Sequence, residues 1–276
     1  MLENFIYENH LGQKFIGLDN GVYANSNELR NYSWDYDTIN NRISRFYRKI
    51  TKRKIPLVVH CNTEDEAMRV RNRLMELAEA DIDAVIPGKV FVGDYYTVGY
   101  ITVSKKKNYL VAERFCNIEL TLTSDDPAWY REQTHTFLPD SGNEMSVGGG
   151  TDYPYDYKYD YAHSLSGQSI YCGSAGSNAF RLLIYGETIN PTVIIGGHAY
   201  TINGAVSKGE TLLIDSVKKT ITLTTATGSK ANWFSKRGRE SYVFEPIPAG
   251  QNSVVWSGAF GFDLTVIEKR SEPKWI

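Results

Sequence analysis

Asp125-Asp126-Pro127 sets two carboxylates side by side, a pair of the type that can hold a metal ion or divide acid and base duties. On a turn, such carboxylates cap the next element and stay in water. No partner acid, base or nucleophile accompanies them, so catalysis is not expected there. The five histidines, His10, His60, His135, His163 and His198, show no His-x-x-x-His spacing. Each reads as a turn or surface residue, and a metal site built from distant positions stays open. Gly148-Gly149-Gly150 and Gly173-Ser174-Ala175-Gly176-Ser177 have the composition of phosphate loops. Neither ends in Gly-Lys-Thr or Gly-Lys-Ser and neither leads into a helical pattern, so they read as a linker and a hairpin loop. Cys61, Cys116 and Cys172 are far apart and odd in number, which fits buried thiols and not a disulfide framework or a zinc ribbon. No cofactor is expected.

The aromatic residues carry more information. Tyr153, Tyr155, Tyr157, Tyr159 and Tyr161 occupy every second position of one stretch. In an extended chain all five rings point to one side, and such a stripe needs a partner surface. Pro154 cannot donate to a ladder, so the stretch belongs at a sheet edge or a domain junction. Trp233, Trp256 and the tyrosine stripe are of the types that stack on sugar rings. They are also of the types that fill cores and interfaces. Trp256 reads as core, the tyrosines as domain docking, and Trp233 as the residue best suited to a glycan.

A chain of 276 residues exceeds the usual single domain, so two domains are expected, 1–145 and 146–276. The formal net charge is -2, which gives nucleic acid no basic excess to displace counterions. The basic run from Arg42 to Lys54 is local, and a solvated face explains it as well as a phosphate track does. No stretch reaches membrane-spanning length. The residues Met1 to Tyr7 lack the basic flank and apolar core of a signal peptide, so synthesis in the cytoplasm of a producing cell is expected.

Strand patterns dominate the elements that must position these residues. Phe5 to Gly21 reads as a hairpin, with turn residues at Asn9-His10-Leu11-Gly12 and Asp19-Asn20-Gly21. Ser33 to Tyr36, Ile43 to Tyr47 and Ile55 to His60 read as strands. One helix is expected over 64–79. Thr63 and Glu66 have capping-box form, and Ala67, Val70, Leu74 and Leu77 share one face. Asp81 ends the pattern and Pro87-Gly88 forbids its return. This helix should cover one face of a sheet.

Lys89 to Val92, Tyr95 to Val103 and Phe115 to Thr123 read as further strands, with Lys105-Lys106-Lys107-Asn108 as a turn. A loop and linker come next, from Pro139 to Gly150. The second half reads as eight short strands: Asn178–Tyr185, Thr192–Ile195, Ala199–Ile202, Thr211–Ile214, Thr220–Thr224, Ser241–Phe244, Ser253–Ser257 and Phe260–Glu268. That spacing is of a sandwich or jelly roll. The fold class is therefore mainly β in two domains, the first an α+β domain with one amphipathic helix.

Several blocks together resemble the siphophage distal tail protein (Dit) family of tailed phages and prophages. They are the helix Thr63 to Leu77, the strand-rich block closing on Leu120 to Pro127, the stripe Tyr153 to Tyr161, Tyr185-Gly186, Asn190 to Val193, Gly209 to Asp215, and Ile247 to Ser253. The resemblance implies a structural virion protein at the tail tip. Its N-terminal domain would form a hexameric ring, and its C-terminal domain would be a galectin-like β-sandwich. Its partners would be the tail tube protein, the tail-tip (tail-associated lysin) protein, and receptor-binding or baseplate proteins. Neither nucleic acid nor membrane is among them. Carbohydrate-binding modules inserted in some relatives have no counterpart in this sequence. The alternative from another class is a sandwich that recognises cell-wall glycans through Trp233 or the tyrosines.

Overall fold

The protein is described by a computed structural model covering residues 4–25, 27–107, 114–139 and 168–275. It divides into two compact units, Met1–Arg131 with Lys269–Ile276, and Glu132–Glu268. The expected boundary between 145 and 146 lies outside the described residues.

The first unit opens on a hairpin, β1 (Ile6–Glu8) and β2 (Lys14–Ile16), followed by β3 (Val22–Ala24). A second hairpin, β4 (Asp35–Ile39) with β5 (Arg42–Tyr47), precedes β6 (Thr51–His60). The helix α1 (Glu64–Ala84) comes next, then β7 (Gly88–Val92), β8 (Tyr95–Lys107), β9 (Phe115–Ser124) and β10 (Trp129–Phe137). The long β8 ties two antiparallel ladders together. Its first half pairs with β7, which pairs with β1. Its second half pairs with β9, which continues to β6 and β3. The register shifts between Ile101 and Val103, a bulge at the changeover. Alternation along β6 buries Ile55, Leu57 and Val59, and along β9 buries Ile118, Leu120 and Leu122. The apolar stripe of α1, with Ala67, Val70, Leu74, Leu77 and Ala78, enters the same core.

The helix starts as its sequence dictates. Thr63 Oγ1 accepts from the Glu66 N–H at 3.2 Å, and the Glu66 carboxylate accepts from the Asn62 N–H at 3.0 Å. It does not stop where expected. α1 runs past Asp81 to Ala84 because Asp81 is a buried member of the helix with partners of its own. Lys105 to Lys107 are strand, not turn. They pair with Glu119, Ile118 and Asn117 of β9. Strand β10, which begins two residues after Pro127, is not marked by the sequence pattern.

The second unit holds β11 (Gln168–Cys172), β12 (Ala179–Tyr185), β13 (Thr188–Ile189), β14 (Thr192–Ile195), β15 (His198–Thr201), β16 (Ala205–Val206), β17 (Thr211–Asp215), β18 (Thr220–Thr224), β19 (Lys230–Asn232), β20 (Gly250–Trp256) and β21 (Gly261–Arg270). One sheet runs β19-β18-β17-β12-β21 and the other β11-β20-β14-β15. Their inner faces enclose one core, so the unit is a two-sheet sandwich. Leu182, Ile184, Leu212, Ile214, Phe262 and Leu264 come from the first sheet; Ile170, Val193, Ile195, Tyr200, Val254 and Trp256 come from the second. Phe180 meets Tyr200 edge to face at 4.9 Å, and Trp256 meets Phe262 at 5.2 Å. Ser241–Phe244 is not a strand; it is irregular chain with turns, anchored by the buried Val243 and Phe244. Strand propensity there is outweighed by the packing of two side chains that the turn delivers.

Candidate interaction surfaces

Of the two adjacent carboxylates, Asp125 is exposed and Asp126 is engaged. Asp126 accepts from the Tyr130 hydroxyl and pairs with Lys269 at 3.3 Å. Burial first, then the Asp126 hydrogen bond and charge, hold the Tyr130 phenol well above its ordinary range. Among the described residues, no group of three His, Cys, Asp or Glu side chains could hold a metal ion. Cys61, Cys116 and Cys172 are free and buried, and burial pushes the Cys61 and Cys172 thiols up. His60, His135 and His198 lie on strands, and His163 lies outside the described residues. No helix is long and apolar enough to cross a membrane, among the described residues.

His10 does have a partner. Asp81, fully buried in α1, accepts from the Tyr7 hydroxyl, from the His10 backbone N–H at 2.8 Å, and lies 2.7 Å from His10 Nδ1. Burial, with the Asp81 hydrogen bond and charge behind it, holds the Tyr7 phenol far above its ordinary value. This cluster fastens the last turns of α1 to the β1–β2 hairpin. Gly88 passes so close that any side chain there would collide with Asp81 and Tyr7. A second buried charge, Arg53, sits in the basic run that reads as solvated in sequence. It donates to the Pro127 carbonyl at 2.8 Å and to the Asn31 carbonyl at 3.3 Å, and lies 5.9 Å from the Trp129 ring. Burial, with Arg48 nearby, lowers its pKa to about 10. Both clusters are structural clamps.

The five tyrosines Tyr153, Tyr155, Tyr157, Tyr159 and Tyr161, and the triple glycine, lie outside the described residues. Trp233 is half-buried against the sandwich core, and its ring closes over Gly204. Trp256 is core, with Nε1 donating to the Phe260 carbonyl at 3.1 Å.

The surface with the most unusual chemistry is the β4–β5 hairpin, which the sequence alone does not single out. Its turn, Asn40-Asn41, has positive φ at both central residues, the geometry of a type I′ hairpin. β4 and β5 form a separate two-stranded sheet, joined to no other strand among the described residues. The register places Tyr36 opposite Phe46 and Thr38 opposite Ile43, so these four share one face. The other face carries Asp35, Asp37, Ile39, Arg42, Arg45 and Tyr47. Tyr36, Ile39, Ile43 and Phe46 stay 57%, 65%, 52% and 58% exposed. At the base, Arg48 lies 4.2 Å from the exposed Trp34 ring, and Ile50 is exposed beside them.

A second aromatic row behaves differently. The registers align Ile16, Ile6, Phe91, Tyr96 and Tyr130 across the outer face of five strands. Its rings lie 5.8 Å apart in both neighbouring pairs, and Lys14, Lys89 and Lys269 stand over them. Each side chain is half-covered by its neighbours, so the row is largely satisfied within the chain. The hairpin is not.

No family model and no curated protein matches the sequence. The comparison with solved structures is decisive for the fold. The structure superposes on SPP1 Dit, a hub of the adsorption apparatus of phages that infect Gram-positive bacteria, with a TM-score of 0.58. The identity is 11%, over 96% of this chain and 99% of that one. This is the fold of the SPP1 Dit protein. A chain of the phage P2 baseplate in its activated conformation, solved with calcium and with strontium, gives a TM-score of 0.60 at 12% identity. There the match covers 99% of this chain and 100% of that one. The Dit-like fold therefore runs through both units, with identity too low to carry side-chain roles across.

Proposed function

We propose that this chain is a structural hub of a phage tail tip. Copies close into a ring through the first unit, hexameric by analogy with its family resemblance, and the ring joins the tail tube to tip and adsorption proteins. No reaction is assigned to it. Its place would be the virion tail tip, after synthesis in the host bacterium. The observation that carries the reading is the end-to-end Dit-like fold, shared by a hub of an adsorption apparatus and a baseplate chain. The exposed β4–β5 arm supports it. A lone two-stranded hairpin is marginal in water, and one that shows an apolar face needs a covering surface. A head-to-tail contact that closes on itself supplies that surface in every copy.

Light scattering over a concentration series tests this reading. A multimer near six times the 31.2 kDa chain mass is expected, or weaker association that tightens when tail tube or tip protein is added. A strict monomer that also captures no tail protein in pull-downs would sink it.

A further inference from the structure

The basic run that ends in β6 suits a solvated face and a phosphate track equally in sequence, and the strand register decides where its side chains go. Alternation sends Arg53, Ile55 and Leu57 into the core and leaves Lys52 and Lys54 on the outer face. β9 lies between β6 and β8. Past its bulge, β8 sets Lys105 opposite Glu119 and Lys107 opposite Asn117, and those β9 residues lie on the same outer face. Four exposed lysines from two strands therefore share one sheet face, with Thr121 and Asn117 of β9 between them. Residues two apart on a strand stand about 6.6 Å apart, and β6 lies about 10 Å from β8, two strand spacings. None of the four lysines has a carboxylate partner among the described residues. The acids beside them are Glu119, opposite Lys105, and Glu28, whose carboxylate accepts from the Lys54 backbone N–H at 2.8 Å.

The same face ends in an aromatic cleft. Tyr23 of β3 stands opposite Val58, His60 stands opposite Phe115, and these four with Asn25 line a shallow cleft of about 340 Å³. The His60 and Phe115 rings meet edge to face at 6.4 Å, and both are exposed, Phe115 at 37%. Val58 is opposite Asn117, and Asn117 is opposite Lys107, so cleft and lysines are continuous. Lysines alone are ordinary surface, and a cleft alone is an ordinary gap; rings and unpaired cations joined on one face point to a ligand with both flat rings and negative charge. A single strand of nucleic acid has both, a phosphate on every unit and unstacked bases with open faces. A duplex keeps its bases stacked out of reach of the rings, and an acidic peptide leaves the rings unused. We propose that the outer face of β3-β6-β9-β8 binds single-stranded nucleic acid, Lys52, Lys54, Lys105 and Lys107 taking phosphates while a base enters the cleft against Phe115 and His60. The chain's net charge of -2 does not oppose this, because attraction follows the local potential within a Debye length, about 10 Å at 0.1 M salt. The inference goes beyond the hub reading and does not depend on it.

The full-length chain carries the test, with a fluorescein-labelled single-stranded oligodeoxynucleotide of mixed sequence, about 16 nucleotides long, read by anisotropy. Binding at low salt is expected to weaken with added salt on a log–log slope of about -3, from four phosphates at about -0.7 each. Lys54→Glu with Lys105→Glu is expected to lose about ten-fold or more in affinity. Phe115→Ala, which removes a stacking platform and no charge, is expected to lose about five-fold or more. Lys208→Glu with Lys230→Glu makes the same charge change on the second unit and is expected to bind as the wild type does. Circular dichroism melts report the folding of each variant, and Lys54→Gln with Lys105→Gln, also expected to weaken binding, replaces the reversal should that unfold. A wild type that leaves the probe unbound at low salt overturns the proposal. Binding indifferent to Phe115→Ala, an equal loss from the second-unit variant, or a duplex or heparin bound as tightly as the single strand overturns it as well, since each marks attraction to charge alone. Light scattering on the same chains reads assembly separately, so a failure here leaves the hub reading standing.

Discussion

Two hairpins of this molecule have the same pattern and opposite fates. In β17–β18, Leu212 pairs with Leu223 and Ile214 with Ile221, and all four are buried in the sandwich. In β4–β5, Tyr36 pairs with Phe46 and Thr38 with Ile43, and all four stay exposed. Both are short antiparallel pairs with one apolar face, closed by turns that use left-handed residues, Lys219 in one and Asn40-Asn41 in the other. The difference is what lies over the face. The sandwich supplies a second sheet for β17–β18, whereas among the described residues no strand or core residue covers the arm. Under the hub reading proposed above, another copy covers this bare apolar face.

The comparison breaks most sharply by truncation on each side. Phe262→Ala, which removes a ring packed against Phe137 and Trp256, is expected to cost the sandwich about 3–5 kcal/mol in chemical denaturation. The triple replacement of Tyr36, Ile43 and Phe46 by Ser removes three exposed apolar side chains. It is expected to change the stability of the isolated chain by no more than about 0.5 kcal/mol per site, while abolishing assembly in light scattering. A large loss of monomer stability from the arm replacement would show that the face is packed within the chain after all.

Gly88→Ala is the next largest. Its methyl would strike Asp81 and Tyr7, and a penalty of about 1–3 kcal/mol is expected in urea unfolding. Val85→Gly tests the left-handed cap of α1, whose relief should raise monomer stability by about 1 kcal/mol in urea unfolding.

The smallest expected effect concerns pH. The folded Tyr7 phenol titrates above its ordinary value of 10, so its contribution is complete below that pH and is lost as pH rises through the folded value. Thermal melts above pH 10 should therefore fall more steeply for the wild type than for Tyr7→Phe, and a parallel decline in both would remove Tyr7 from the account. Arg53 has the opposite sign, being lowered, and is common to both proteins, so the difference isolates the tyrosine.

Features governed by neighbours in the chain were legible in the sequence. Thr63 and Glu66 marked the start of α1 through bonds that span three or four residues, and alternation over Thr192–Ile195 and Thr220–Thr224 gave those strands their limits. The block order resembled the Dit family, and the end-to-end superposition bears out that fold. What escaped was set by residues far apart. Asp81 reads as a helix stop because an aspartate near a helix end is ordinarily solvated; partners more than seventy positions away keep it inside. Arg53 reads as surface because its neighbours are basic, yet carbonyls of Asn31 and Pro127 bury it. Likewise, nothing in the alternation of β4–β5 separates it from β17–β18. Pattern fixes which face of a hairpin is apolar, since that depends on side-chain period alone. Whether the face is covered depends on what the folded chain brings over it, and that only the tertiary structure decided.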